Sequence, residues 1–312
     1  MAEDVSYTPE EVAKILKISK YTVYELIKRD ELAAYHIGRK VRVDGADIEA
    51  YKRNSKNITS FTVAEAPLTS PKSCSAVDEG LIICGQDITL DILTRHLERK
   101  FPNVQFLRQY IGSIDGLMAL YRGMANVVTA HLWDSDTNDY NTPFVRRMLP
   151  GHRVLIINMV YRTEGFYVAK GNPKKIFTWA DLARPELRFV NRERGSGARV
   201  LLDEKLRVEE ITHQSVNGYR NEEMSHTAVA SKIARGEADV GLGIEKAAQQ
   251  VNNIDFVPLQ IERYDLVIRK EDVHKPYFQG LMAILKSVAF RNEVLGIGGY
   301  DVTSMGEIMA EV

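Results

Sequence analysis

The chain has 312 residues, about twice the roughly 150 of a common single domain, so two folded units are expected. Its 45% hydrophobic and 27% charged residues, with 21 Gly and 10 Pro, exclude collagenous, low-complexity and wholly disordered classes. With 41 Lys and Arg against 42 Asp and Glu the net charge is -1, so any nucleic-acid surface must be a local patch.

Thr8-Pro9-Glu10-Glu11 reads as a helix start: Thr8 can accept from the Glu11 amide, and Glu11 can reach back to the Thr8 amide. Val12, Ile15 and Leu16 then form an apolar stripe. Ser19 can cap a second helix, buried through Val23, Leu26 and Ile27. Strands are expected over Ala34 to Ile37 and Val41 to Val43 around Gly38-Arg39-Lys40, and Asp44 can cap a third helix carrying Ile48 and Tyr51. From Asn54 to Glu79 the chain is rich in Ser, Thr, Asn and Pro and has no apolar period. We place a head at 1–56, a linker at 57–79 and a body at 80–312.

Body strands are expected at Leu81 to Cys84, Val104 to Arg108, Asn126 to Ala130, Arg153 to Val160, Phe166 to Ala169, Leu187 to Val190, Asp239 to Leu242 and Asp255 to Val257. Helical stretches alternate with them, which indicates an α/β architecture with mostly parallel sheets. Cys74 and Cys84 supply neither a disulfide framework nor a structural zinc spacing. The N-terminus lacks a basic segment leading into an apolar stretch, and the run Val154 to Val160 is too short to span a bilayer. A cytoplasmic protein without a membrane partner is expected.

From Lys14 to Arg42, eight Lys or Arg face three acids, a local charge of +5. Lys20, Tyr21, Thr22, Tyr24, Lys28 and Arg29 on the second helix, with Arg39, Lys40 and Arg42 on the hairpin, can meet phosphates and base edges. The bland reading is a solvated surface with a structural tyrosine pair. Element order favours DNA: TPEEVAKILKISKYTVYELIKRDELAAYHIGRKVRVDGADIEAYKRN resembles the excisionase-type winged helix-turn-helix, related to the MerR group. That resemblance makes Ser19 to Arg29 the recognition helix and Gly38 to Arg42 the wing, with operator DNA as partner.

In the body, Gly85-Gln86-Asp87 with Thr89, Gly112-Ser113, and Asn191 through Gly197 lead from strand ends into helices, where unpaired amides suit an anion. Around Gly195-Ser196-Gly197 the arginines 192, 194 and 199 can neutralise charge, although a plain turn and cap has the same pattern. GLIICGQDITLDIL, YNTPFVRRMLPG, VYRTEGFYVAKGNP, FVNRERGSGARVLLD, SHTAVASKIARGEADVGLGIEKAA and RYDLVIRKE together resemble a type II periplasmic-binding-protein-like domain of the molybdate-binding-related branch. The resemblance implies two lobes, 80–162 with 263–312 and 163–262, and a ligand in the cleft between them. Gln86, Asp87, Thr89, Ser113, His131, Arg162, Thr163, Arg192, Arg194, Gly195, Ser196, Gly197 and Ala198 would hold a small anion, with molybdate or tungstate favoured. Ala198 stands where the oxyanion loop of phosphate and tungstate binders usually has Thr, and Gln86 where a Ser is usual.

His131 and Asp134 can line the cleft or serve structure. Glu164 and Glu193 read as solvated or salt-bridged carboxylates, Cys84 as a buried inert thiol, and no spacing forms a metal site. The reading is a non-enzymatic transcriptional regulator, a homodimer or higher oligomer, needing no cofactor. The rival is an enzyme or cofactor-handling protein of molybdenum cofactor metabolism that binds a pterin.

Overall fold

The computed structural model describes residues 6–28, 32–38, 40–48, 51 and 78–312, within two compact units, Met1–Lys72 and Ser73–Val312. In the first unit β1 (Ser6–Tyr7) leads to α1 (Pro9–Leu16). The Thr8 hydroxyl accepts from the Glu11 amide at 3.4 Å, and Glu11 Oε2 accepts from the Thr8 amide at 2.8 Å. This capping box satisfies amides that the first helical turn leaves over. Lys17, at φ 56°, ends α1, and Ser19 Oγ accepts from the Thr22 amide at 3.0 Å as α2 (Lys20–Lys28) begins. β2 (Tyr35–Ile37) and β3 (Lys40–Asp44) pair antiparallel about Gly38, whose φ of +62° suits a residue without Cβ, and β1 joins the outer edge of β3. Residues 45–48 are helical and form α3.

Val12, Ala13, Val23, Leu26, Leu32, Val43 and Ile48 form the core of this unit. Ile15, expected in the buried stripe, is 38% exposed. The buried face of α1 centres on Val12, Ala13 and Leu16, and Ile15 lies about 100° round the helix from that centre. Arg29, Arg39 and linker positions 57–77 lie outside the described residues. Positions 78 and 79, assigned to the linker by composition, belong to the first strand of the second unit.

That unit runs β4 (Asp78–Cys84), α4 (Ile88–Lys100), β5 (Val104–Gln109), α5 (Ser113–Tyr121), β6 (Val127–Ala130), β7 (Trp133–Asp134), β8 (Asp139–Tyr140), α6 (Thr142–Met148) and β9 (Val154–Ala169). It continues β10 (Phe189–Arg192), α7 (Gly197–Val208), β11 (Glu222–Glu223), α8 (His226–Ala234), β12 (Val240–Ile244), α9 (Glu245–Ala248) and β13 (Ile254–Arg269), then α10 (Pro276–Leu285), α11 (Val288–Ile297) and β14 (Ile308–Glu311). The main sheet has the order β11-β10-β12-β9-β13-β6-β4-β5, with β14 also on β9.

The expectation of mostly parallel pairing needs correction. β4 with β5 and β6, and β10 with β11 and β12, are parallel. β9 pairs antiparallel with β12, β13 and β14, and β13 does so with β6. The reason lies in β9 and β13, each 16 residues long and paired along nearly their whole length. The expected strands at Arg153 to Val160 and Phe166 to Ala169 are one strand, because polar Arg162, Thr163 and Glu164 interrupt the apolar run without interrupting the ladder. β13 likewise extends the expected Asp255 to Val257 segment through Glu262 and Arg263.

On one side of this polar middle, Leu81, Leu93, Val127, Ile157, Leu266, Leu281 and Phe290 share a core; on the other, Phe166, Leu182, Phe189, Leu201 and Leu242 share another. We call these the first and second lobes. The long strands join them, so the polar residues at 162–164 and 262 sit where the lobes meet. Among the described residues no helix is long and apolar enough to cross a membrane.

Candidate ligand cleft and DNA-facing surface

On the head, Tyr21, Thr22, Tyr24, Lys28 and Lys40 are exposed and Arg42 is half-buried. Tyr21 is 75% exposed, so it contributes little to the head's own core and leaves an aromatic face open to a partner. Lys20 pairs with Glu10, both side chains being more than half exposed, a contact of little energetic weight in water.

In the second unit a cavity of about 250 Å³ lies between the lobes. Its first-lobe wall starts at the end of β4. There Asp87 caps α4, accepting from the Thr89 amide at 2.8 Å and the Thr89 hydroxyl at 2.6 Å. The other Asp87 oxygen receives Arg162 Nη1 at 2.5 Å, and Tyr300 donates its hydroxyl to the same oxygen at 3.0 Å. Arg162 Nε donates to Glu262 Oε1 at 2.5 Å, and its guanidinium stacks 4.1 Å above the Tyr264 ring. His131 Nδ1 lies 2.8 Å from the second Glu262 oxygen. Arg162 is thus a buried cation shared by two buried carboxylates, which offsets the large cost of taking charges out of water.

Glu164 is the neighbour left out. It is 1% exposed, and neither carboxyl oxygen has a hydrogen-bond partner other than the adjacent Glu262 carboxyl. The expectation of a solvated or salt-bridged carboxylate is therefore corrected. Burial, then the adjacent Glu262 carboxylate, pushes the Glu164 carboxyl well above its ordinary range. Burial would raise Glu262 too, but Arg162 and His131 outweigh it and hold Glu262 well below that range. Burial, followed by the Arg192 and Arg162 charges, lowers the His226 imidazole, which is therefore neutral at pH 7.

The second lobe supplies Arg192, Ser196, Ser225, His226 and Thr227 to the cavity. Arg192 is gripped by Glu193, through Nε at 2.7 Å and Nη2 at 2.8 Å, and Nη2 also donates to Gln86 Oε1 at 2.7 Å. Gln86 returns Nε2 to Glu193 at 3.1 Å, which ties the lobes together. A second tie is the Ile114 amide, which donates to the Gly195 carbonyl at 3.0 Å. Gly112 and Gly197 permit this approach: a Cβ at 112 would meet the Gly195 and Ser196 backbone, and one at 197 would strike the His131 ring.

Two sequence models match, a PBP superfamily domain over residues 94–286 and a helix-turn-helix domain over residues 6–56. The chain belongs to the PBP superfamily. The protein YvgK of Bacillus subtilis (strain 168) is 41% identical over 311 residues, spanning 100% of both chains. The molybdate-binding protein ModA of Mycobacterium tuberculosis (strain ATCC 25618 / H37Rv) is 32% identical over 145 residues, 45% of this chain and 50% of ModA. A phosphate ABC transporter substrate-binding protein from Clostridium perfringens, solved with bound phosphate, superposes with a TM-score of 0.54 at 15% identity, over 72% of this chain and 99% of that one. This last likeness shows the fold alone. A helix-turn-helix joined to a PBP-like domain makes the chain a DNA-binding regulator type with a ligand-binding domain.

Of the cleft residues read from sequence, the PBP domain brings Gln86, Asp87, Ser113, His131, Arg162, Arg192 and Ser196 onto the cavity wall. Thr89, Thr163, Arg194, Gly195, Gly197 and Ala198 are not on that wall. Thr89 is buried against Asp87. Thr163 is in the β9–β13 ladder opposite Ile261. Arg194 points away, its side chain 80% exposed and 3.8 Å from Glu222. Gly195 is spent on Ile114, while Gly197 and Ala198 begin α7, with Gly197 against His131 and Ala198 in the second-lobe core. Arg199 stacks 4.1 Å over Tyr219 and pairs with Glu222. Asp134 accepts from the Thr137 amide and hydroxyl, a turn-forming role.

Sequence reasoning missed Ser225, His226, Thr227, Tyr264, Tyr300 and Glu262. The one local signal was Ser225-His226 opening α8, where Ser225 Oγ accepts from the Ala228 amide. Cys84 is buried, and desolvation pushes its thiol up to about 11 despite nearby Arg108.

Proposed function

We propose that the chain is a one-component transcriptional regulator whose head binds operator DNA and whose interlobe cleft senses a small anion, with molybdate or tungstate the leading ligand. The observation that carries this reading is the cavity itself. Guanidinium, hydroxyl and imidazole groups from both lobes converge on it, so a bound solute contacts both lobes at once. A ligand gripped by both lobes favours the closed arrangement over the open one, and only such differential affinity can shift a conformational equilibrium. The 145-residue likeness to ModA supports molybdate. The DNA side rests on exposed Tyr21, Tyr24, Lys28 and Lys40 together in a helix-turn-helix with a β-hairpin wing. Paired heads on spaced half-sites would make the working form a homodimer, because one small head covers little DNA.

A thermal-shift panel of molybdate, tungstate, phosphate, sulfate and organic acids tests the ligand. The cognate anion at a hundredfold its dissociation constant stabilises the folded protein by about 2.7 kcal/mol. If no anion raises the midpoint, the anion reading is wrong.

A further inference from the structure

The seam of β9 and β13 buries three carboxylates, Asp87, Glu164 and Glu262, around one guanidinium, that of Arg162. Asp87 and Glu262 share that cation. Glu164 has no such cation: both its oxygens are buried, and its hydrogen-bonding neighbour is the Glu262 carboxyl. A buried carboxyl without a counterion is costly as the anion, so it either takes up a proton or meets a cation, and buried charges in folded proteins are paired or hold a metal. The groups beside it are metal-binding types: one ligand atom each from His131, Glu164 and Glu262 lies within 4.8 Å of the others. His131 also stands on the cavity wall, which gives the cluster a route to solvent.

We propose that His131, Glu164 and Glu262 form a binding site for one divalent transition-metal ion at the floor of the cleft. One imidazole and two carboxylates suit a borderline cation such as Zn²⁺ or Mn²⁺. With metal–ligand distances near 2.1 Å, tetrahedral neighbours lie about 3.4 Å apart, so His131 Nδ1 and Glu262 Oε2, now at 2.8 Å, must part a little, while ligand atoms as far apart as 4.8 Å must draw together. A dication balances Glu164 and the charge of Asp87 and Glu262 that Arg162 leaves over. Of the three ligands His131 reaches the cavity wall, where Arg162 and Arg192 are already engaged with carboxylates. The site itself does not rest on the anion reading, since its test needs no oxyanion.

The test is calorimetric titration of the chelator-stripped full chain with MnCl₂ and, separately, ZnCl₂ in chloride buffer. The site predicts one ion per chain and an affinity lowered about tenfold or more in Glu164→Gln, which keeps the shape of the side chain and removes its charge. His131→Asn, on the cavity wall, should lose affinity by a similar factor and guards against a Glu164 variant that does not fold. His274→Ala, at a separate surface cavity, should bind as the parent does. The proposal is overturned if the parent takes up neither ion below about 1 mM, or if folded Glu164→Gln and His131→Asn bind as tightly as the parent.

Discussion

Replacing Gly112 by Ala should weaken ligand binding without harming the fold. Gly112 has φ −69° and ψ 169°, a conformation open to any residue, so alanine adds no backbone strain. Its new Cβ, however, would lie 2.9 Å from the Gly195 oxygen and 3.1 Å from the Ser196 nitrogen, backbone atoms of the opposite lobe. Ordinary contact begins near 3.4 Å, so the lobes must part by about half an ångström. That opening stretches the Ile114 amide to Gly195 carbonyl bond from 3.0 Å to the limit of a useful hydrogen bond. Losing it costs about 0.5 to 1.5 kcal/mol, which converts to roughly two- to tenfold in affinity if ligand binding requires the closed lobes. Calorimetry with the anion that gives the largest thermal shift measures this directly. Gly296→Ala, where a Cβ meets nothing within 4 Å, is the control. Unchanged affinity in Gly112→Ala, or an equal fall in Gly296→Ala, would refute the closure reasoning.

Three other outcomes are expected. Arg162→Met leaves Asp87 and Glu262 buried without their shared cation, so denaturant unfolding should show a loss of about 3 to 5 kcal/mol; a loss under about 1 kcal/mol would show that the network is well solvated. With its thiol at about 11, Cys84 is roughly one part in a thousand thiolate at pH 8, so in a Cys74→Ala background it should resist thiol reagents until denaturant is added, and rapid labelling of the folded chain would contradict its burial. At Asp239, Arg188 and Lys174 outweigh burial and hold the carboxyl far below its ordinary range; the depressed carboxyl stabilises the fold above the unfolded value near pH 4, and that contribution fades as pH falls through the folded one. Asp239→Asn should therefore be less stable than the parent at pH 7 and converge with it in acid, whereas a gap that widens in acid would reverse the assignment.

The head was legible in sequence because its determinants are local. Thr8 and Glu11 are one turn apart, Ser19 and Thr22 likewise, and the hairpin turns at a glycine between two short apolar runs. Ile15 shows the margin of such reasoning, since on a short helix one position of phase decides burial. In the body eight strand segments were visible, but the apolar half of β13 after Arg263 and the strand β14 were not, and the two long strands were hidden by the polar residues that make the cleft. Arg162 breaks the hydrophobic pattern of β9 because its partners stand on β13 and at the start of α4, as many as 100 residues away for Glu262. The glycine-rich loop at 195–197 was read as a cradle from composition, yet its carbonyl and its lack of side chains serve contact between lobes. Tyr264 and Tyr300 carried no pattern that separates a cavity wall from a core.

The most direct measurement is the affinity of the full chain for a DNA fragment selected from a random-sequence library, by fluorescence anisotropy, with and without saturating molybdate, tungstate or phosphate. A one-component regulator predicts salt-dependent binding that falls when Lys28 and Lys40 are replaced by Ala, together with a change of about fivefold or more on adding the cognate anion. DNA binding that none of these anions alters, in a protein whose cleft is shown to bind one of them, would contradict it.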